Sequence, residues 1–472
     1  MQNILFIMTD QQRWDAMGCS GGWVDTPNLD RLAAEGVRFT RCVTTSPICV
    51  PARLSLATGL YPHNTGVWRN VHHTMPPETD NWMRELKRLG YRTSVFGKTH
   101  LHPHVGITND ELRGAGAAVP RFDLRDKEGL LHAWGLDDVN EIGGPRASAH
   151  MLSHMTAMWA DKGLLPAYQE DFAQRFSNKP HVVRPSTLPL EHYADVYVGQ
   201  QAKSYLEQYD RDEPWCCWVS FGGPHEPWDT PEPYASRYRP EDMPEPVPRS
   251  ADDDTASMGM LQRLYEHPGT SPQFEPGEIA AMRANYAGNV TLIDDQIGDL
   301  LNVLEARGWY DDTIIVFTSD HGEMNGDHGL IYKMNFFDGS VRVPLIVRAP
   351  GRGLPGLVSD SLVENIDVGP TLLELAGTRP QHYQFARSLV GALDGGEHRQ
   401  TVLSEFAGEV MLMDHEWKAV VNNAGVVYQL FNLNNDPDER RNLAGLPEYR
   451  QEANQMRLQM LETMLKTQNQ IK

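Results

Sequence analysis

Two short polar clusters, Asp10-Gln11 and Asp320-His321, stand far apart in the chain, and each follows an apolar run, Ile4 to Met8 and Ile314 to Phe317. Together they offer oxygen and nitrogen donors suited to one divalent cation. Without a cation, two facing carboxylates repel each other. A single aspartate after a strand would only cap the turn that follows; it is the pairing that points to a metal. Basic side chains are set at similar boundaries: Arg53, Lys98, His100, His225 and Lys333 follow or flank the ends of strands and helices. Five such groups could surround a tetrahedral oxyanion. The sharpest element is Cys49-Val-Pro51-Ala-Arg53. Pro51 suits the first turn of a helix, which sets Cys49 at the helix N-terminus, where backbone N–H groups and the helix dipole favour an anion. Thr99-His-Leu-His-Pro-His104 raises zinc binding through His100, His102 and His104, but alternate spacing in a proline-bearing loop is not a standard ligand pattern.

Three apolar runs share one grammar and must position these groups. Ile4 to Met8 leads to Thr9-Asp10, Trp215 to Phe221 leads to Gly222-Gly-Pro-His225, and Ile314 to Phe317 leads to Thr318-Ser-Asp320-His321. Each reads as a buried strand with polar residues at its end. Between them, apolar positions three and four apart predict helices over Asn28 to Glu35, Thr79 to Leu89, Leu190 to Tyr209 and Pro276 to Arg307. Strands alternating with helices predict an α/β sheet whose ligands sit outside the strand carboxyl ends, where Asp10, His225 and Asp320 fall. Pro103 to Pro189 has weak periodicity, and Pro224 to Pro276, with its Asp252-Asp-Asp254 run, reads as a long surface excursion. After Gly377 come short candidate strands at Thr401 to Phe406, Val410 to Met413, Trp417 to Asn422 and Val426 to Leu433, then a helix from Pro447 to Lys466. The expected division is a catalytic domain over 1–378 and a small α+β subdomain over 379–472.

Composition removes several classes of function. The 472 residues carry 42 Lys and Arg against 63 Asp and Glu, a net charge of −21, so the surface repels nucleic-acid backbones. An anionic substrate then needs a locally basic pocket. No apolar run approaches the roughly 18 to 20 residues of a membrane-spanning helix. Met1-Gln2-Asn3 leads directly into the first apolar run with no basic segment before it, which is unlike an export signal. The five cysteines are odd in number and include the neighbours Cys216 and Cys217, unlike a disulfide framework. The expected location is the cytoplasm.

Cys49-x-Pro51-x-Arg53 followed by Thr58-Gly59 resembles the signature of the type I sulfatases, formylglycine-dependent enzymes of the alkaline-phosphatase-like superfamily. The likeness extends in family order through Asn3 to Gln11, Gly97-Lys98-Thr99-His100, Pro224-His225, Ser319-Asp320-His321-Gly322-Glu323, Lys333, and the closing Leu433, Asp436, Pro437 and Glu439. The resemblance implies an alkaline-phosphatase-like α/β fold, with a large mixed central sheet flanked by helices and a small C-terminal α+β subdomain. It implies that Cys49 is oxidised to formylglycine (3-oxoalanine), whose hydrated form attacks the sulfur of a sulfate monoester and leaves a covalent sulfate ester. Arg53 would polarise the nucleophile, His225 or Lys333 would protonate the leaving alcohol, and His100 would deprotonate the second hydroxyl to expel sulfate. Lys98, His225, Lys333 and Asn70 would hold the substrate.

By the same resemblance one divalent cation is held by Asp10, Gln11, Cys49, Asp320 and His321. Gln11 and His321 stand where many family members have aspartate and asparagine, so the shell is less anionic and slightly softer. Ca2+ is expected first, Mn2+ next and magnesium third. The implied partners are a small sulfate ester and the formylglycine-generating enzyme that matures Cys49, with no nucleic acid and no membrane; homo-oligomerisation is left open. Phosphonate monoester hydrolases and phosphodiesterases of the superfamily tend to carry Tyr and Thr where this chain keeps Lys98 and His100, which favours sulfate. Lys333-Met-Asn-Phe-Phe337 is similar to choline sulfatases, where aromatic rings cage a quaternary ammonium. Aryl, choline and sugar sulfates are therefore all expected candidates.

Overall fold

The computed structural model describes residues 1–70, 73–104, 122–250 and 259–468. The Asp252-Asp-Asp254 run lies outside these described residues. The strands in chain order are β1 (Asn3–Asp10), β2 (Val37–Val43), β3 (Arg92–Gly97), β4 (Phe122–Asp123), β5 (Asp138–Glu141), β6 (Met151–Leu152), β7 (Trp215–Pro224), β8 (Thr313–Ser319), β9 (Arg342–Arg348) and β10 (Leu357–Glu364). Four more follow: β11 (Val402–Phe406), β12 (Glu409–Met413), β13 (Trp417–Val421) and β14 (Val427–Asn432).

Eight strands form the central sheet in the order β10-β2-β9-β8-β1-β7-β3-β5. β9 runs antiparallel to both β2 and β8, while the other neighbours pair in parallel, so the sheet is mixed. Its central strands are apolar on both faces because both are covered. Ile4, Phe6 and Met8 enter one core with Cys216, Trp218, Ile314 and Val316. Leu5 and Ile7 enter the opposite core with Cys217, Val219, Ile315 and Phe317. This is the two-residue alternation of a strand buried on both sides. It also sends the adjacent Cys216 and Cys217 to opposite faces, and all five cysteines are free.

Helices Cys49–Thr58, Trp82–Arg88 and Val368–Leu375 contribute to the first core. Helices Pro27–Glu35, Ala194–Gln208 and the long Glu278–Ala306 contribute to the second. β11 to β14 form a separate antiparallel meander. Helix Arg450–Lys466 packs Met456 and Met460 against its Leu403, Leu412, Ala419 and Leu430. The terminal helix therefore begins at Arg450, after a 3-10 turn over Pro447–Tyr449.

Of the segment from Pro103 to Pro189, residues 105–121 lie outside the described residues, and the described part from 122 on holds more regular structure than its weak periodicity predicts. It supplies β5 at the sheet edge, the small β4–β6 pair, and helices His154–Asp161 and Leu165–Asn178. The excursion after Pro224 is not purely superficial either, since Glu226, Trp228, Asp229 and Thr230 are buried. Among the described residues no helix is long and apolar enough to cross a membrane.

Candidate active site

Parallel strands bring their carboxyl ends to one side of the sheet, and the chain places its reactive groups there. β1 ends at Asp10, β8 leads into Asp320-His321, β3 into Lys98, and β7 into His225. After β2, the chain enters helix Cys49–Thr58, so Cys49 lies in its first turn with Pro51. Ile48 offers no side-chain cap to this helix. Asn70 supplies one from outside, its Oδ1 accepting the Val50 N–H at 2.9 Å. Every residue of the helix is buried, and it stops where Gly59 takes the left-handed conformation, φ 71°, that glycine adopts without strain.

Arg53 lies one turn beyond Cys49 and is 0% exposed. Its Nη2 donates to Asp10 Oδ2 at 2.9 Å and its Nε to Asp320 Oδ2 at 2.7 Å, so one guanidinium bridges two strand ends. Its Nη1 donates to the Lys98 carbonyl at 2.6 Å and to Ser220 Oγ at 3.1 Å. Lys98 Nζ adds a second cation on Asp10 Oδ2 at 2.6 Å. The Cys49 Sγ lies 3.2 Å from His321 Nε2, 3.6 Å from Lys333 Nζ and 4.0 Å from Asp10 Oδ1. One donor atom each from Asp10, Cys49, Asp320 and His321 falls within 4.8 Å of the others, and all four residues are buried.

The electrostatics follow from these contacts. Burial opposes ionisation of Cys49, yet Lys333, Lys98 and His321 outweigh it and hold the thiol well below its usual value. Burial and the Cys49 charge likewise oppose ionisation of Asp10, but Lys98, His225 and Arg53 keep its carboxyl far below the usual range. His100 is driven the other way. Burial, Lys98 and His104 all disfavour its cation, so the imidazole is held neutral. Burial disfavours the charge on Lys333, but the anions Cys49, Glu226, Asp10 and Asp320 raise it overall.

The structure thus brings Asp10, Cys49, Arg53, Lys98, Asp320, His321 and Lys333 into one buried cluster, with the half-buried His100 beside it. Gln11 is engaged differently from a simple metal ligand. Its backbone N–H donates to Asp320 Oδ1 at 3.1 Å, its carboxamide oxygen accepts from Lys333 Nζ, and its Nε2 donates to Glu226 Oε2 at 2.8 Å and to Glu323. Asn70 is exposed, and its side-chain oxygen caps the helix that begins at Cys49. His225 Nδ1 turns to the Glu226 carbonyl at 2.8 Å.

Glu226 and Glu323 carried no assigned role in the sequence, although each lies beside a recognisable group. Both are buried on the Gln11 amide, and their surroundings drive them apart. Burial would keep Glu226 protonated, but His225, Arg146 and Lys333 lower it, whereas burial and the Glu226 charge raise Glu323. Only their adjacency to His225 and Ser319-Asp320-His321-Gly322 could have flagged them. The three-histidine grouping is split: His102, His104 and Glu141 converge as a buried set of metal-ligand type, and His100 stands outside it. His100 is turned to Cys49, whereas His102 and His104 direct Nε2 to Glu141 of β5 at 2.7 and 3.1 Å.

A buried cysteine, a close set of carboxylate, thiol and imidazole donors that could hold a cation, and a ring of cationic side chains together suit displacement at the central atom of a tetrahedral anion. Comparisons with known proteins agree with that chemistry. A family model described as Sulfatase matches residues 2–378, and one described as N-sulphoglucosamine sulphohydrolase, C-terminal, matches residues 326–467. The multifunctional alkaline phosphatase superfamily protein PehA of Trinickia caryophylli is 31% identical over 95% of this chain and 92% of its own length. A choline-sulfatase of Rhizobium meliloti is also 31% identical, over 94% of this chain and 83% of its own. Among solved structures, the phosphonate monoester hydrolase SpPMH of Silicibacter pomeroyi superposes with a TM-score of 0.79 at 26% identity, covering 99% of this chain and 96% of that one. The fold is alkaline-phosphatase-like, the chain is a hydrolase by descent, and it belongs to the sulfatase family.

Proposed function

We propose that this chain hydrolyses sulfate monoesters to an alcohol and inorganic sulfate, with position 49 as the nucleophile. The observation that carries the reading is the placement of the Cys49 Sγ 3.6 Å from Lys333 and 3.2 Å from His321, on the edge of the Asp10–Asp320 carboxylate pair. Conversion of Cys49 to formylglycine supplies a hydrated aldehyde, one hydroxyl serving attack and the other release.

Asp10, Asp320, His321 and position 49 fit one divalent cation. Two carboxylates with an imidazole are a donor set for Ca2+ or Mn2+, and Arg53 lies against both carboxylates, opposing their mutual repulsion. When bound, the cation supplies positive charge that orients and acidifies the group at position 49 and draws in the anionic ester. Lys98 and Lys333 hold the ester oxygens. His225, with Nδ1 turned to the Glu226 carbonyl, presents Nε2 as the proton donor to the leaving oxygen. His100, neutral against position 49, takes the proton that releases sulfate.

Retention of Lys98 and His100 supports sulfate as the group cleaved. A second reading, hydrolysis of phosphonate monoesters, is favoured by the likeness to SpPMH over nearly the whole chain. A kinetic panel of an aryl sulfate, choline sulfate, a sugar sulfate and a phenyl phosphonate monoester separates the two. The highest kcat/KM is expected on a sulfate ester, and a phosphonate preference by orders of magnitude overturns the assignment. We further place the catalytic unit at 1–378 and the small subdomain at 379–472, a division supported by the separate β11–β14 sheet. The four cysteines other than position 49, all unpaired, support a reducing compartment, the cytoplasm.

A further inference from the structure

Glu141 closes β5, the polar edge strand that pairs in parallel with β3 and sets Glu141 opposite Gly97. Its carboxylate is 3% exposed and takes three side-chain hydrogen bonds, all from the loop that leaves β3. Thr99 donates its hydroxyl, His102 its Nε2 at 2.7 Å and His104 its Nε2 at 3.1 Å. The loop has two backbone ties as well, from the Lys98 N–H to the Ser220 carbonyl and from the Met75 N–H to the Leu101 carbonyl. Neither grips the imidazole of His100.

That imidazole needs holding. His100 adopts φ 55°, a left-handed conformation that is strained for a non-glycine residue. Its Nδ1 is buried with no hydrogen-bond partner among the described residues, so nothing on that atom fixes the ring. Instead the ring stacks on His104, with centroids 4.5 Å apart and planes inclined by 24°. A linear chain of contacts therefore runs from the Glu141 carboxylate through the His104 ring to the His100 ring, and on to position 49.

We propose that Glu141 is a positioning residue that, through Thr99, His102 and His104, clamps the 98–104 loop and fixes the His100 ring against position 49. The proposal rests on the reading of His100 as the base of the sulfate-releasing half-reaction. Glu141 touches no reacting atom. Its loss should slow the step that uses His100 and spare the step that expels the alcohol.

The test compares wild type with Glu141→Ala, and with the isosteric Glu141→Gln in case the alanine variant does not fold. Displacing a base by about 1 Å can cost 10²-fold, so kcat on an aryl sulfate is expected to fall about that far. The alcohol should appear in a burst approaching one equivalent per site, and the quenched protein should carry a species about 98 Da heavier than the unreacted aldehyde form, the sulfate ester of its hydrate. A loss of activity with neither burst nor added mass is a general structural effect and overturns the proposal, as does unchanged kcat. A crystal structure of the variant reads the placement without turnover. Displacement of the His100 ring with Arg53 and Lys98 unmoved supports the clamp, and an unmoved His100 overturns it. Should wild type fail to turn over sulfate esters, the functional reading fails, and the crystallographic result still decides the clamp.

Discussion

The Nζ of Lys333 stands 3.6 Å from the Sγ of Cys49, and both groups are buried, although one follows β8 and the other follows β2. A cation so close to position 49 stabilises negative charge there and on whatever anion is brought to it. Replacement of Cys49 by alanine is expected to abolish turnover. Matured protein should weigh about 18 Da less than the encoded chain by intact mass, the loss that converts cysteine to formylglycine. Lys333→Ala should lower kcat on an aryl sulfate by about 10²- to 10³-fold, the usual consequence of deleting one preorganised stabilising group. Full activity in either variant would remove position 49 and Lys333 from the chemistry.

Arg53 bridges Asp10 and Asp320 with no exposure to solvent. Taking it away leaves two buried carboxylates without their shared counter-charge, a change that typically costs about 3 to 5 kcal/mol. Arg53→Met is therefore expected to lower the unfolding midpoint strongly in metal-free buffer. Saturating Ca2+ should recover part of the loss, because the ion takes over the same two carboxylates. A midpoint shift indifferent to Ca2+ would place the cation somewhere else.

Chelation is expected to remove turnover, and Ca2+ or Mn2+ to restore it. The ion should also stabilise the fold by mass action, by about 2.7 kcal/mol at one hundred times its Kd. Calorimetry of the chelated protein against increasing Ca2+ measures this directly. The gain should vanish in Asp10→Asn together with Asp320→Asn, whose side chains retain shape but lose charge.

His328 is buried and stacked on Phe337 with ring centroids 3.8 Å apart. Burial is the main cause that pushes its imidazole down to about 4, despite the nearby Asp327. Above pH 6.5 the ring is neutral in both folded and unfolded chains, and stability is unaffected. Between about 6.5 and 4 only the unfolded chain takes up the proton, so stability falls as pH falls, by on the order of 3 kcal/mol in total. His328→Asn, which tolerates the positive φ of 53° at this site, should flatten that part of the pH dependence. Parallel midpoint curves for the two proteins between pH 7 and 4 would refute the assignment.

Much of this arrangement is legible before any coordinates. β1, β7 and β8 announce themselves as apolar runs leading to Asp10, His225 and Asp320, because a strand covered on both faces is mostly apolar through its middle and keeps its charged groups for its carboxyl end. The four short strands after Gly377 are legible by their bounding turns. The edge strand β5 is not. Its sequence, Asp138-Val-Asn-Glu141, is mostly polar, and only pairing with β3 makes it a strand.

The sequence by itself determined the inventory: which residue could be the nucleophile, which carboxylates could share a cation, and that these groups sit at the ends of elements. Those properties are local, written in side-chain type and in periods of two or 3.6 residues. Tertiary structure decided the company each group keeps. Arg53 meets both Asp10 and Asp320 only because β8 lies beside β1 in the sheet. Gln11 meets Lys333, Glu226 and Glu323, and Glu141 meets His102 and His104, across separations that no local pattern encodes. Burial then sets the charge state of every group in the cluster, since a carboxylate, thiol or imidazole takes its ionisation from neighbours that strand order and packing bring within a few ångströms.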